Sequence, residues 1–135
     1  MFLAQLSNKQ KELFLDMCVH AANANGDFAD EQKMTIAQYC DEMQLPECRF
    51  ATDNMLDDVI EELVSISTDA EIRAIAVEIA ALLISDSVYD DFEKSFSEQF
   101  CKMAGLSAED YERIISMLNE LTAVYTKLGA FVTGT

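Results

Sequence analysis

Apolar residues recur at steps of three and four along nearly the whole chain, the spacing of one face of a 3.6-residue helix, and no stretch alternates with period two over a strand's length. Ser7 and Gln10 have the form of a capping box. Leu6, Leu13, Phe14, Met17, Cys18 and Ala21 follow at helical spacing, which predicts a first helix over residues 8–24. Asn25-Gly26 breaks it, and a second helix over 30–43 opens on acids, where the helix dipole favours them, and stops at Leu45-Pro46. Met55, Leu56, Val59, Ile60, Leu63 and Val64 define a third helix whose other face sends Asp57, Asp58, Glu61 and Glu62 to solvent. Ser67-Thr68-Asp69 supplies the cap of a fourth over 70–84, apolar on nearly every side, as expected of a helix surrounded by the others. A fifth spans 90–103 and ends at Gly105; Ser107 caps a last helix running to about Leu128, with fraying after Gly129. The expected fold is all-α, one domain over residues 1–135 in a bundle of about six helices.

Sliding the chain by 61 positions pairs Asp30 with Asp91, Lys33 with Lys94, Gln38 with Gln99, Cys40 with Cys101 and Leu45 with Leu106, while Tyr39 meets Phe100. Each copy reads as helix, acidic turn, helix. The pattern predicts an internal duplication with units over about 8–48 and 69–109, packed on one another and closed by a helix over 110–129.

Composition narrows the function classes. The chain has 135 residues with 25 Asp and Glu against 9 Lys and Arg, a net charge of −16. Half of it is apolar, so it has the material for a core and is not a disordered acidic tail. Such a surface repels phosphate backbones and anionic headgroups, which argues against nucleic acid, and no apolar run reaches the roughly 20 residues that span a bilayer. Cations and basic protein segments are the partners this charge attracts. The charge is unevenly placed: between Asp53 and Glu93 there are 12 acids and one base, Arg73. Polar Ser7–Glu12 follows the apolar Met1–Leu6 without a small-residue cleavage site, so a cytoplasmic location is expected, and Cys18, Cys40, Cys48 and Cys101 are expected as reduced thiols serving as small core residues.

Two acidic turns are the candidate chemistry. The first, Asn23 to Gln32, aligns with a calcium loop at Gly26 but places Ala21 and Gln32 at its two ends, so the bidentate carboxylate of an EF-hand is missing. The second, Asp86 to Glu93, keeps carboxylates at both ends. The candidate metal ligands are therefore Asp86, Asp90 and Glu93, with Asp27, Asp30 and Glu31 contributing, and the cation calcium or magnesium. The competing explanation is that Asp30, Glu31, Asp90 and Asp91 serve only the helix dipole.

The segments AANANGDFADEQK and LLISDSVYDDFEK, with their spacing of about 60 residues, resemble the TerB-like, tellurite-resistance-associated family. The resemblance implies an all-helical cytoplasmic fold, a divalent-cation-binding acidic face and a link to metal or chemical stress through partner proteins. In this sequence the family's Asp-Gly aspartate falls on Asn25 and its helix-start glutamate on Gln32, both neutral amides, which counts against a cation at the first turn. The matching second-copy positions, Asp86 and Glu93, are acidic.

Enzyme signatures are missing. Cys18 and His20 are two apart on a helix and point in different directions, the Glu-x-x-His motif of di-iron bundles is absent, and there is no glycine-rich phosphate loop. Phe92, Phe96, Phe100 and Met103 form a stripe expected in the core. Tyr111, Ile114, Leu118, Leu121, Tyr125 and Leu128 match a heptad seam, expected to pack within its own bundle, so a monomer is favoured over a homodimer. The expected function is a non-enzymatic acidic module that binds a divalent cation weakly and presents that face to a partner; the alternative is a metal-independent module recognising a basic protein segment.

Overall fold

Two reciprocal capping boxes start the principal helices of the computed structural model, which describes residues 1–23, 30–84 and 91–134. At α1 (Asn8–Ala22), the Gln10 N–H donates to Ser7 Oγ at 3.2 Å and the Ser7 N–H donates to Gln10 Oε1 at 2.8 Å. At α4 (Asp69–Leu83), Thr68 and Glu71 repeat both bonds at 3.2 and 2.8 Å. Each box satisfies two N–H groups that a helix start otherwise leaves to water.

The 61-residue offset recurs in the geometry. α1 and α4 each have 15 residues and start 61 apart; α2 (Asp30–Met43) and α5 (Asp91–Ala104) each have 14 and do the same. Both shorter helices end in a left-handed residue, Gln44 at φ 57° and Gly105 at φ 76°. After it the Leu45 N–H donates to the Cys40 carbonyl at 3.0 Å and the Leu106 N–H to the Cys101 carbonyl at 2.9 Å. These are Schellman-type closures, in which a positive φ lets the chain turn back on its own last carbonyls. With α3 (Leu56–Ser65) and α6 (Ala108–Thr133), the described residues form six helices and no strand, an all-α bundle.

α4 is the centre, in contact with α1, α2, α5 and α6, while α3 lies on α1 and α5. Ile75, Ala76, Ile79, Ala80, Leu82 and Leu83 are fully buried, as the all-round apolar pattern requires. The one carboxylate on this buried face is Glu78, 2% exposed. It accepts from the Met1 ammonium at 2.8 Å and the Phe2 N–H at 3.0 Å, and Glu42 of α2 accepts from the same ammonium and from the Leu3 N–H, both at 2.7 Å. Leu3 is thereby seated in the core. Tyr39 of α2 donates to the Glu78 carbonyl at 2.7 Å and packs on Phe14 of α1, ring centres 5.5 Å apart, which joins three helices.

Several expectations are corrected. Phe96 and Phe100 are buried, but Phe92 is 61% exposed and Met103 only half-buried, so the stripe enters the core at its middle. Cys18, Cys40 and Cys101 are core residues; Cys48 is exposed, because it lies beyond the stop at Pro46 in a segment with no apolar periodicity. The last helix does not fray at Gly129 but continues to Thr133, where Gly134 at φ 78° closes it. One helical glycine costs only about 1 kcal/mol. The heptad seam divides: Tyr111, Ile114 and Leu118 are buried, while Leu121, Tyr125 and Leu128 are 38%, 68% and 56% exposed. The other helices are 10 to 15 residues long, so a 26-residue helix outruns them.

Substitutions at the turns separate backbone strain from packing. Gly105→Ala is expected to lose about 1–2 kcal/mol and Gln44→Gly to gain about 1 kcal/mol, since only glycine adopts a left-handed φ without penalty. Gly129→Ala, whose new methyl group would meet nothing within 4 Å, is expected to gain about 0.5–1 kcal/mol, all three read from urea unfolding. Iodoacetamide at neutral pH is expected to modify Cys48 alone in the folded protein; burial and a hydrogen bond with the Cys48 thiol push Cys40 up to about 12, and burial raises Cys18 and Cys101. Mass spectrometry before and after denaturation checks it.

Candidate functional site

On α1, Lys9, Glu12, Leu13 and Asp16 fall on one face at helical spacing. Opposite them α3 presents Asp58, Val59 and Glu62, and Arg49 and Asn54 of the α2–α3 connection close one end. The enclosed cleft is polar, with a volume of about 280 Å³. Four carboxylates, those of Glu12, Asp16, Asp58 and Glu62, line it.

Asp16 sits at its base, 3% exposed within the apolar run from Leu13 to Val19. A carboxylate so placed must be paired and hydrogen-bonded. One oxygen accepts from Arg49 Nη1 and the other from Asn54 Nδ2 at 2.9 Å. The second guanidinium nitrogen donates to Glu12 Oε2 at 2.9 Å, so Arg49 bridges two carboxylates one turn apart. His20 Nε2, 2.7 Å from the Asn54 carbonyl oxygen, donates to it. Helix signals end at Pro46, and residues 49–54 are fastened by these side chains instead.

The charges tune one another. Burial alone would raise the Asp16 carboxyl, but the hydrogen bonds from Arg49 and Asn54 outweigh it and hold it below the usual carboxylate range. Burial likewise opposes the Arg49 charge, and Asp16 and Glu12 more than restore it. At the rim, Lys9 reaches Glu62 at 3.3 Å, both side chains about half exposed, a pair of the kind that contributes little and exchanges partners readily. A second cavity of about 380 Å³, between α5 and α6, is mostly apolar and includes Ser97, Cys101, Leu106 and Tyr111.

Three of the predicted metal residues, Asp30, Glu31 and Glu93, lie on described helices. Asp30 is an exposed first residue of α2, Glu31 follows it in the same helix, and Glu93 is 1% exposed in the first turn of α5. Gln32, which the 61-residue offset pairs with Glu93, is 2% exposed, so both positions point inward whatever their charge. Asp27, Asp86 and Asp90 lie outside the described residues. Among the described residues no three His, Cys, Asp or Glu side chains converge in a way that would hold a metal ion. Cys18 is buried, and burial pushes its thiol well above the usual range, away from nucleophilic chemistry.

Sequence reading missed Asp16, Arg49, Asn54, Glu42 and Glu78. A signal existed for two of them: Asp16 and Glu78 are lone acids inside apolar helical runs, where a charge survives only with a partner supplied by the fold. Arg49 and Asn54 carry no such mark.

Comparison with family models, curated proteins and solved structures gives no match for this chain. Among the described residues no helix is long and apolar enough to cross a membrane.

The Asp16 network carries a pH signature. A carboxyl held below its unfolded value contributes stability that is present above the ordinary range near pH 4 and is lost as pH falls through the folded value. Asp16→Asn is therefore expected to be less stable at pH 7 and to show a shallower loss of stability on acidification. Arg49→Ala, which strips a buried carboxylate of its main partner, is expected to lose about 1–3 kcal/mol at pH 7 in urea unfolding, with less loss at pH 3.

Proposed function

We propose that this chain is a non-enzymatic acidic helical module that recognises a basic segment of a protein partner through the α1–α3 cleft. The observation that carries this reading is the cleft itself: four carboxylates around a polar cavity of about 280 Å³, with Asp57 and Glu61 exposed on the adjoining turns of α3. Arg49 is committed to the structure by its bond to buried Asp16. Lys9 is not, and an incoming Lys or Arg replaces it on Glu62 at little cost. The acidic surroundings raise the encounter rate with a cationic segment and disfavour anionic competitors.

A divalent cation at the second turn is the second reading. It would rest on Asp86, Asp90 and Glu93, with Asp27, Asp30 and Glu31 contributing, in the metal or chemical stress setting that the TerB resemblance implies. Its support is the pattern of the second turn, which keeps carboxylates at both ends, Asp86 and Glu93, where the first turn carries the amides Asn25 and Gln32.

One pair of titrations separates them. A Lys/Arg-rich peptide is expected to bind with an affinity that falls steeply between about 50 and 200 mM salt, is unaffected by EDTA, and drops at least about tenfold in Asp58→Asn with Glu62→Gln. Absence of binding at low salt would sink the cleft reading. If calcium or magnesium instead raises the unfolding temperature and Glu93→Gln abolishes the shift, the second reading stands, since a ligand at 100 times its Kd adds about 2.7 kcal/mol.

A further inference from the structure

Among the described residues, the carboxy-terminal half of α6 gathers six of the exposed large apolar side chains on one helix. Leu118 is the last residue of this helix that the bundle buries; beyond it Leu121, Val124, Tyr125, Leu128, Phe131 and Val132 are between 38% and 83% exposed. At 1.5 Å per residue, the 15 residues after Leu118 project about 22 Å.

Three properties of this projection point to the same occupant. Its apolar positions continue the heptad seam begun in the core, with Leu118, Tyr125 and Val132 at one seam position and Ile114, Leu121 and Leu128 at the other, and Val124 and Phe131 widening it on one side. A 3.5-residue period sustained in this way fits another helix, whereas a flat apolar surface makes no demand for it. Secondly, residues 119–134 contain one acid, Glu120, and one base, Lys127, in a chain of net charge −16. Like copies are not kept apart along this seam, and most of it lies beyond the roughly 8 Å screening length from the acidic bundle at physiological salt. Thirdly, Thr122, Val124, Thr126, Gly129, Val132 and Thr133 are poor helix formers, and a 15-residue stretch with six of them is marginal as helix in water without packing. Packing has to supply what propensity does not.

We propose that the exposed half of α6 pairs with the same segment of a second copy of this chain, forming a homodimer through a short two-helix seam. Six large apolar side chains, 38–83% exposed, lie on this segment, and covering them fully would remove at most roughly 700 Å² per copy from water, enough to bring a paired seam to the ~1,000 Å² total that a specific interface needs. The seam lies on a different element from the α1–α3 cleft and leaves that cleft open in both copies.

The test is sedimentation equilibrium of the 135-residue chain from about 1 to 300 µM. A reversible species of twice 15.1 kDa is expected, with a Kd on the order of micromolar. Leu121→Glu with Leu128→Glu places like charges in the seam and is expected to weaken association at least tenfold; Phe131→Ser with Val132→Ser is expected to weaken it without adding charge. All four positions are exposed in the single copy, so far-UV circular dichroism should keep the bundle's cooperative unfolding while losing helix signal from residues 119–133. Thr126→Glu, off the seam, should leave the dimer intact. A chain that stays monomeric at 300 µM, a dimer indifferent to both double variants, or a monomer that instead partitions onto phosphatidylcholine vesicles would each overturn the proposal.

Discussion

The fold rests on the demand that α4 makes of its neighbours. A helix apolar on nearly every side has no stable place at a surface, so four other helices have to enclose it, and burying its Ile and Leu side chains is worth about 1.5–3 kcal/mol each. Enclosure brings Glu78 inside with the rest of the helix. A buried carboxylate is tolerable only with donors, and these come from the start of the chain, where the Met1 ammonium and the Phe2 N–H reach it while Glu42 holds the same ammonium and the Leu3 N–H. Leu3 then fills the core beneath them.

Asp16 repeats this logic on α1 with a different result. Its partners, Arg49 and Asn54, belong to a connection that has no regular structure, so satisfying one buried charge also fixes the loop that borders α3. The cleft exists because of that attachment. The interior chemistry of a single helix position thus shapes an acidic cleft, and the proposed recognition of a basic segment draws on carboxylates that are already positioned.

Two parts of the molecule are supported unequally. The bundle proper has a contiguous core and paired buried charges, whereas the end of α6 has an apolar seam and no contacts with the bundle past Leu118 that bury a side chain. The 61-residue offset unites the first five elements in length, capping and closure, with the exception of α3, and α6 also stands outside it. These two helices carry one wall of the cleft and the exposed seam, so part of the cleft and the whole seam lie on elements outside that offset.

Local chemistry alone determined the helices. Ser7, Thr68 and Ser107 cap, Gly105 and the Leu45-Pro46 step terminate, and the three-and-four spacing of apolar residues marks the buried faces, all within a few residues of the atoms they govern. Helix number, order and the central position of α4 were legible for that reason. Which end of α6 is covered was not, because a seam reads the same in sequence whether its partner is the bundle or solvent; only the lengths of the neighbouring helices decide where cover stops. The Asp16–Arg49–Asn54 network was equally hidden, since Asp16 is 33 and 38 residues from its two partners and no periodicity links them. Partnership between distant charges is settled by where the fold puts them, and that is a property of the tertiary structure.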